Sequence, residues 1–183
     1  MSIRIVIGGV ANCGKSTLTA SIYTEVRARG ISVGIHELDV FENTIPYILG
    51  IESWEQRIKV KSGDWSNPRI NWAIDDFIKD ESRFVLGDLT GIIDSLLEKM
   101  VKNADSAIVI GKDQQSLQKW LRFFDSQNIP VIIKIISCIN GDILPQIFSP
   151  DIIFVKNLKR KVLQNDEIRK VVNILLSHYS YTG

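Results

Sequence analysis

Short apolar runs alternate with stretches of helical period along most of the chain. The strand-length runs are 3–7, 32–38, 83–86, 106–110, 131–136 and 152–155. Runs that are apolar at nearly every position are typical of strands buried on both faces. The stretches with one apolar stripe, which predict amphipathic helices, are 15–29, 92–103, 114–126 and 168–176. This alternation predicts an α/β three-layer sandwich built on a mainly parallel sheet.

Residues 41–82 interrupt this regular pattern. They contain three of the four tryptophans (Trp54, Trp65 and Trp72), several turn signals and a basic run over 57–61. We predict that 41–82 is an elaboration of the core with a short helix near 70–80. At 183 residues the chain has the length of one domain, so we predict a single domain over 1–183.

Composition and charge exclude several classes of protein. The net charge is +1, which gives no global reason to expect a nucleic-acid or membrane partner. No apolar run approaches the roughly 20 residues of a membrane span, so we expect a cytoplasmic protein. The two cysteines, Cys13 and Cys138, are too few for a disulfide framework and form no zinc motif.

A glycine-rich motif carries the chemistry. Residues 9–16 fit GxxxxGK[ST] at every fixed position, after a predicted strand and at the start of a predicted helix. In such a loop, backbone N–H groups and the helix N-terminus bind phosphate, a lysine (Lys15) reaches the β- and γ-phosphates, and a hydroxyl (Ser16) ligates Mg²⁺. The alternative is a chance glycine-rich turn. The predicted nucleotide-contacting residues of this phosphate loop (residues 9–17) are Gly9, Val10, Ala11, Asn12, Cys13, Gly14, Lys15, Ser16 and Thr17.

A second element ends the predicted strand near 86. Asp88 follows apolar residues and could reach the coordination sphere of Mg²⁺, while Gly91 could offer its backbone N–H to a γ-phosphate. An aspartate and a glycine at a strand end are also common as a turn or helix cap. Their order behind the phosphate loop favours the functional interpretation.

With these motifs the sequence resembles the P-loop NTPases, and among them the SIMIBI class, which includes signal-recognition, MinD-like and metallochaperone GTPases. The resemblance implies a P-loop NTPase fold that binds ATP or GTP with Mg²⁺. The residues that it assigns are Gly9, Gly14, Lys15 and Ser16 as Walker A, Asp88 as the Walker B aspartate and Gly91 as the switch glycine.

In the SIMIBI class an acidic residue after the second strand faces Mg²⁺ or the attacking water. Asp39 is our candidate for this catalytic role, and Glu37, two positions earlier, is expected to point to the same side. Glu37 or Glu42 could instead be the true counterpart, and Asp39 an exposed loop carboxylate. His36 is expected to be a polar strand residue rather than a ligand.

Two departures limit the resemblance. MinD-like proteins have a lysine where Val10 stands, and the guanine-specifying NKxD motif is replaced by Asn140 and Asp142 at the wrong spacing. ATP is therefore mildly favoured over GTP. The basic stretch 156–161 could flank the base or be a solvated turn.

Three functions remain open. The first is a nucleotide-hydrolysing switch or assembly factor, the second a small-molecule kinase or ATP-dependent ligase-type enzyme with 41–82 as acceptor pocket, and the third a nucleotide-binding module without turnover. We predict that 41–82 forms a surface for a substrate, a protein partner or a homodimer, led by Trp54, Arg57 and Trp65; the alternative is a satellite core. Cys13, at a helix N-terminus, could have a lowered thiol pKa and a regulatory role, or be only a small loop residue.

Overall fold

The computed structural model describes residues 2–39, 44–53, 68–138, 151–156 and 158–180. The predicted surface residues Trp54, Arg57 and Trp65 lie outside the described residues, as do Glu42 and the Asn140–Asp142 stretch. In the described part of the chain, no helix combines the length and the apolar character that crossing a bilayer requires.

Within the described residues, six strands form one sheet in which every neighbouring pair is parallel. The strands are β1 (Ile3–Gly9), β2 (Val33–Glu37), β3 (Phe84–Asp88), β4 (Ser106–Gly111), β5 (Val131–Cys138) and β6 (Ile152–Lys156). Their order across the sheet is β2-β3-β1-β4-β5-β6. The predicted parallel sheet is confirmed, and each run of apolar residues that predicts a strand corresponds to one.

Helices cover both faces of this sheet. They are α1 (Lys15–Ala28), α2 (Ile45–Ile48), α3 (Pro68–Lys79), α4 (Ser95–Val101), α5 (Gln114–Ser126) and α6 (Asp166–Ser180). The apolar stripes of α1 and α6 pack into one layer with alternate strand residues such as Ile5 and Ile7. Those of α3, α4 and α5 pack into a second layer on the other face, with Val6. The three-layer α/β architecture is therefore confirmed.

Two helices differ from the sequence prediction. The helix predicted over 92–103 begins only at Ser95, because the Asp94 side chain accepts hydrogen bonds from the backbone N–H groups of Leu96 (3.1 Å) and Leu97 (2.9 Å) and caps it. Helix α2 was not predicted, since four residues are too few to show a period.

The strand order places a crevice at the end of β1. This strand pairs with β3 on one side and β4 on the other, while α1 carries the chain away to β2 at the edge of the sheet. Ligands of open parallel sheets bind at the carboxyl ends of the strands, where neighbouring connections diverge. The phosphate loop follows β1 and thus lies at this position.

Candidate functional site

The phosphate loop turns sharply between β1 and α1. Asn12 has a φ of 58° and Gly14 a φ of 93°, so the backbone takes the left-handed conformation twice within three residues. Such turns direct successive backbone N–H groups inward and form a nest for anions. Gly14 is the N-cap residue of α1, and no side chain caps the helix there. The first amides of α1 are therefore oriented for an anionic ligand rather than for a side chain.

A cleft of about 530 Å³ opens above this loop. Its lining residues are Ala11, Asn12, Gly14, Lys15, Ser16, Thr17, Asp39, Thr44, Ile48, Gly91, Leu158, Lys159 and Arg160. Most of the predicted site residues thus meet in one cavity. Gly9, Val10, Cys13 and Asp88 do not line it; Gly9 is packed so closely that a Cβ would lie 2.2 Å from the Ile110 carbonyl oxygen.

Lys15 is held inside the loop. Its side chain bends back so that Nζ donates to the Val10 carbonyl oxygen at 3.5 Å, and only 8% of the residue is exposed. A lysine in this position carries its charge to the concave side of the loop, where a phosphate would replace the long bond to Val10.

Asp88 lies beneath the loop. It pairs with Ile7 across β1 and β3, is 1% exposed, and its Oδ1 accepts a hydrogen bond from the Thr19 hydroxyl at 3.4 Å. Burial raises the pKa of the Asp88 carboxyl to about 6, although the positive charge of Lys15 and a hydrogen bond from Ser16 oppose the rise. Burial thus disfavours the negative charge of Asp88, and the nearby positive charge of Lys15 favours it.

The donor atoms at Ser16 and Asp88 fit Mg²⁺. Hydroxyl and carboxylate oxygens are the hard ligands that this ion takes, and it keeps several water molecules and phosphate oxygens when it binds. Within the described ranges there is no group of three or more His, Cys, Asp and Glu side chains that could hold a metal by themselves. The site therefore suits a magnesium ion that arrives with a nucleotide rather than one caged by protein alone.

The loops after β2 and β3 meet beside the phosphate loop. The backbone N–H of Asp39 donates to the Asp88 carbonyl oxygen at 3.1 Å, and Asp39 lines the cleft. Gly91 lies against the phosphate loop, since a Cβ on it would stand 2.6 Å from the Ala11 nitrogen. The predicted catalytic carboxylate and switch glycine thus both line the cavity together with residues of the phosphate loop.

Glu37, which strand alternation predicts on the same side as Asp39, does not line the cleft and bonds to the start of α2. Its Oε1 accepts hydrogen bonds from the backbone N–H groups of Thr44 (2.5 Å) and Ile45 (3.2 Å) at the start of α2. Burial raises the pKa of Glu37 to about 9, against the effect of these bonds. The negative charges of Asp88 and Asp39 add to this rise in the pKa of Glu37.

His36 interacts with carboxylates of the fold and not with the cleft. Nε2 lies 2.7 Å from Asp80 Oδ2 and Nδ1 lies 3.0 Å from Asp76 Oδ2, so two carboxylates of α3 and its C-terminal turn flank the ring. The residue belongs to β2 and is not among those that line the cleft.

The sequence interpretation missed part of the cleft wall. Thr44, at the N-cap of α2, and Ile48 belong to the segment 41–82, which is predicted as a surface for a substrate or partner, but neither residue is among its predicted lead candidates. Leu158 contacts the phosphate loop, because its Cβ lies 2.6 Å from the position that a Cβ on Gly14 would take. Lys159 and Arg160 line the cavity, which favours the interpretation that the basic stretch flanks a ligand. The run of three basic residues after β6 was the only signal for this wall.

Cys13 does not have the environment of a reactive thiol. The residue is fully buried among apolar side chains, and burial raises its pKa despite the nearby positive charge of Lys15. The hypothesis of a lowered thiol pKa at this helix N-terminus is therefore wrong, because desolvation outweighs the effect of the helix dipole.

Comparison with known proteins gives one distant relative in sequence. No family model matches the chain. An iron-sulfur cluster carrier protein of Methanocaldococcus jannaschii is 24% identical over 77% of this chain. The chain spans only about three fifths (61%) of the length of that relative.

Solved structures show the fold. Cobyrinic acid a,c-diamide synthase of Mycobacterium smegmatis, with a bound ATP analog and magnesium, superposes with a TM-score of 0.61 at 12% identity, covering 98% of this chain and 96% of that one. A GTPase of Pyrococcus abyssi in apo form gives 0.60 at 14% identity, covering 97% of each chain. MinD of Pyrococcus horikoshii with Mg-ADP gives 0.58 at 17% identity, covering 75% and 70%. As the resemblance implies, the chain has the fold of the P-loop NTPases of the SIMIBI class.

Proposed function

We propose that this protein binds a nucleoside triphosphate with Mg²⁺ in the cleft and hydrolyses it, acting as a switch or assembly factor. The observation that carries the proposal is the phosphate loop itself. Its two left-handed residues and the uncapped start of α1 form an anion nest, with Lys15 held inside the loop and the buried Asp88 within electrostatic reach of Lys15. The structural neighbours crystallised with Mg-ADP or an ATP analog and magnesium share this fold.

The roles of the residues follow from their positions. The loop amides and Lys15 would neutralise the charge of the β- and γ-phosphates, and the Gly91 amide would approach the γ-phosphate. Ser16 and Asp88 would hold Mg²⁺, which when bound withdraws charge from the phosphate oxygens. Asp39, which lines the cleft, would orient the attacking water.

The far wall of the cleft bears on the choice of base. Leu158, Lys159 and Arg160 line it, and an apolar side chain with two cations suits the faces of a heterocycle. Neither the apolar side chain nor the two cations distinguish adenine from guanine. We retain ATP as the mild favourite because the sequence lacks a guanine-specifying motif.

A kinase or ligase-type enzyme is the second candidate. Two observations favour it: Thr44 and Ile48 bring the segment 41–82 into the cleft wall, and the diamide synthase covers nearly the whole chain. We do not extend iron-sulfur carriage to this chain, since clusters are held by thiolates and its two cysteines are both buried.

The test is nucleotide affinity with and without Mg²⁺, across ATP, GTP and their diphosphates. Lys15→Ala should weaken triphosphate binding by about 10- to 100-fold, because a hydrogen bond to a charged group contributes roughly 1.5–3 kcal/mol. The free energy of unfolding should change little. Lys170→Ala, which removes an exposed lysine of α6, is the matched control. Unchanged affinity in Lys15→Ala would refute a site at this loop.

Phosphate release then separates the candidates. Release from ATP or GTP by the purified protein supports hydrolysis, and binding without release leaves a nucleotide-binding module. Turnover that requires a metabolite mixture and yields a phosphorylated product would establish the second candidate.

A further inference from the structure

The segment that carries Asp39 is fixed at both ends by hydrogen bonds. At its start, the backbone N–H groups of Leu38 and Asp39 donate to the Asp88 carbonyl oxygen at 2.9 and 3.1 Å. At its far end, the backbone N–H of Thr44 donates to Glu37 Oε1 at 2.5 Å. Glu37 therefore links the end of β2 to the start of α2. In sequence, Asp39 lies between these two attachment points.

Helix α2 depends on the same carboxyl group. A helix of four residues gains too little from its own hydrogen bonds to persist alone. Thr44 provides no side-chain cap, and Pro46 has no N–H. Glu37 instead accepts from the Thr44 and Ile45 N–H groups, the two donors at the start of the helix. A side chain from β2 thus supplies the cap that α2 lacks.

Packing completes the attachment of α2. Ile45 and Ile48 are 4% and 7% exposed, and α2 packs against α1. Because Thr44 and Ile48 line the cleft, the position of this short helix determines one wall of it. The apolar contacts hold α2 against the core, and the directional bonds from Glu37 fix where its first turn lies.

From this geometry we infer that Glu37 is a positioning residue for the proposed hydrolysis: it clamps the start of α2 to the end of β2, so that Asp39, two residues beyond Glu37, stays in the cleft and α2 stays in the cleft wall. Glu37 does not line the cavity and acts only through these neighbours. The inference rests on the proposed function.

The experiment compares Glu37→Ala with Glu37→Gln. Glutamine has a side-chain carbonyl that can accept both backbone bonds, so its turnover should remain within about threefold of the wild-type value. Alanine releases the loop, and turnover should fall by about 10- to 100-fold, the cost of misplacing a catalytic group by an ångström. Nucleotide affinity should fall much less, since the phosphate loop is intact. Glu81→Ala, at an exposed glutamate between α3 and β3, controls for the loss of a carboxylate.

A double-mutant cycle tests whether Glu37 acts through Asp39. If it does, adding Glu37→Ala to Asp39→Ala should lower turnover no further, because the catalytic carboxylate is already absent. Additive losses would overturn the clamp. So would equal turnover in Glu37→Ala and the wild type.

Amide hydrogen exchange tests the clamp without a measurement of turnover. The Thr44 and Ile45 amides should be protected in the wild type and in Glu37→Gln, and exchange faster in Glu37→Ala. Unchanged protection would refute the clamp. Failure of the wild type to bind or hydrolyse nucleotide would instead refute the proposed function, a result that the exchange measurement does not share.

Discussion

Gly91 brings the loop after β3 within van der Waals distance of the phosphate loop. A Cβ at this position would lie 2.6 Å from the Ala11 nitrogen and 2.8 Å from its Cα, and both are backbone atoms that cannot rotate aside. Only a residue without a side chain allows this approach. The two loops are therefore coupled through bare backbone.

We expect Gly91→Ala to displace the phosphate loop. Overpacking costs about 1–3 kcal/mol, so triphosphate affinity should fall about tenfold or more as the strain is relieved at the binding loop. Gly30→Ala is the contrast: its φ of 73° makes alanine unfavourable, but nothing lies within 4 Å and the site is distant. Isothermal titration and urea unfolding on both variants separate the effects. If Gly91→Ala binds triphosphate as tightly as the wild type, the two loops can move apart without loss of the binding geometry.

The sequence predicts that the motif residues, Asp39 and Gly91 lie close together, but it does not predict the contacts of Glu37. The phosphate loop is predictable because its glycines, lysine and serine have fixed places in one local turn. The direction of Glu37 is not, since it depends on α2, which comes from a segment without a periodic pattern. The burial of Cys13 is also not predictable from the local sequence, because α6 residues that are distant in sequence lie in the same apolar layer.

Among the elements, β2 and α3 are joined by a polar cluster around His36. Asp80 lies so close to β2 that a Cβ on Gly34 would stand 1.8 Å from its Oδ2. Burial alone would raise the pKa of Asp80, but hydrogen bonds from Ser82 and His36 outweigh it and hold the pKa below its usual value. Asp80 thus brings a charged carboxylate, rather than an apolar side chain, against β2 at the edge of the sheet.

Asp80→Asn should destabilise the protein by about 1–2 kcal/mol at neutral pH, because it removes the charge from these hydrogen bonds while keeping the shape. The pKa of Asp80 is lower in the folded than in the unfolded protein. Its stabilising contribution is therefore present above the unfolded value near 3.8 and is lost as the pH falls through the folded value.

Urea unfolding from pH 7 down to pH 3 measures this loss, which should be absent in Asp80→Asn. Asp75→Asn is the control, since Asp75 is an exposed residue of α3 paired only with Lys79 at 3.6 Å among the contacts shown by the described chain. If the free energy of unfolding fell equally with decreasing pH in Asp80→Asn and in the wild type, the loss could not be assigned to Asp80.

Element boundaries show where local pattern reaches its limit. The core strands and α1, α5 and α6 follow the apolar period because packing against the sheet needs that period. Helix α4 is shorter than predicted because a single cap at Asp94 decides its start. Helix α2 has no local signal at all, since Glu37 and α1 hold it from outside.

For the whole molecule, the segment 41–82 remains predicted as a surface for a substrate, a partner or a second copy. Its described parts contribute Thr44 and Ile48 to the cleft, while the lead candidates Trp54, Arg57 and Trp65 lie outside the described residues. Trp72 is 68% exposed and Trp120 fully buried, so these two tryptophans provide reference signals.

Tryptophan emission tests this surface. If 41–82 faces the ligand, nucleotide or partner should shift the emission, and Trp54→Phe or Trp65→Phe should remove part of the shift without lowering stability. Trp72→Phe should remove an exposed, long-wavelength component instead. If nucleotide does not change the emission spectrum and Trp54→Phe greatly lowers stability, the segment has a structural role and does not face the ligand.

The contact between Gly14 and Leu158 has a consequence for the protein during its synthesis. In a growing chain the phosphate loop leaves the ribosome before the strands that support it. Its supports come later: Asp88 from β3, Ile110 from β4, and finally Leu158 after β6. Because β1 lies between strands that follow it in sequence, the loop cannot take its shape locally. A nascent chain should therefore acquire affinity for nucleotide only after β6 and the turn beyond it have emerged, so that early intermediates do not capture nucleotide from the surrounding pool.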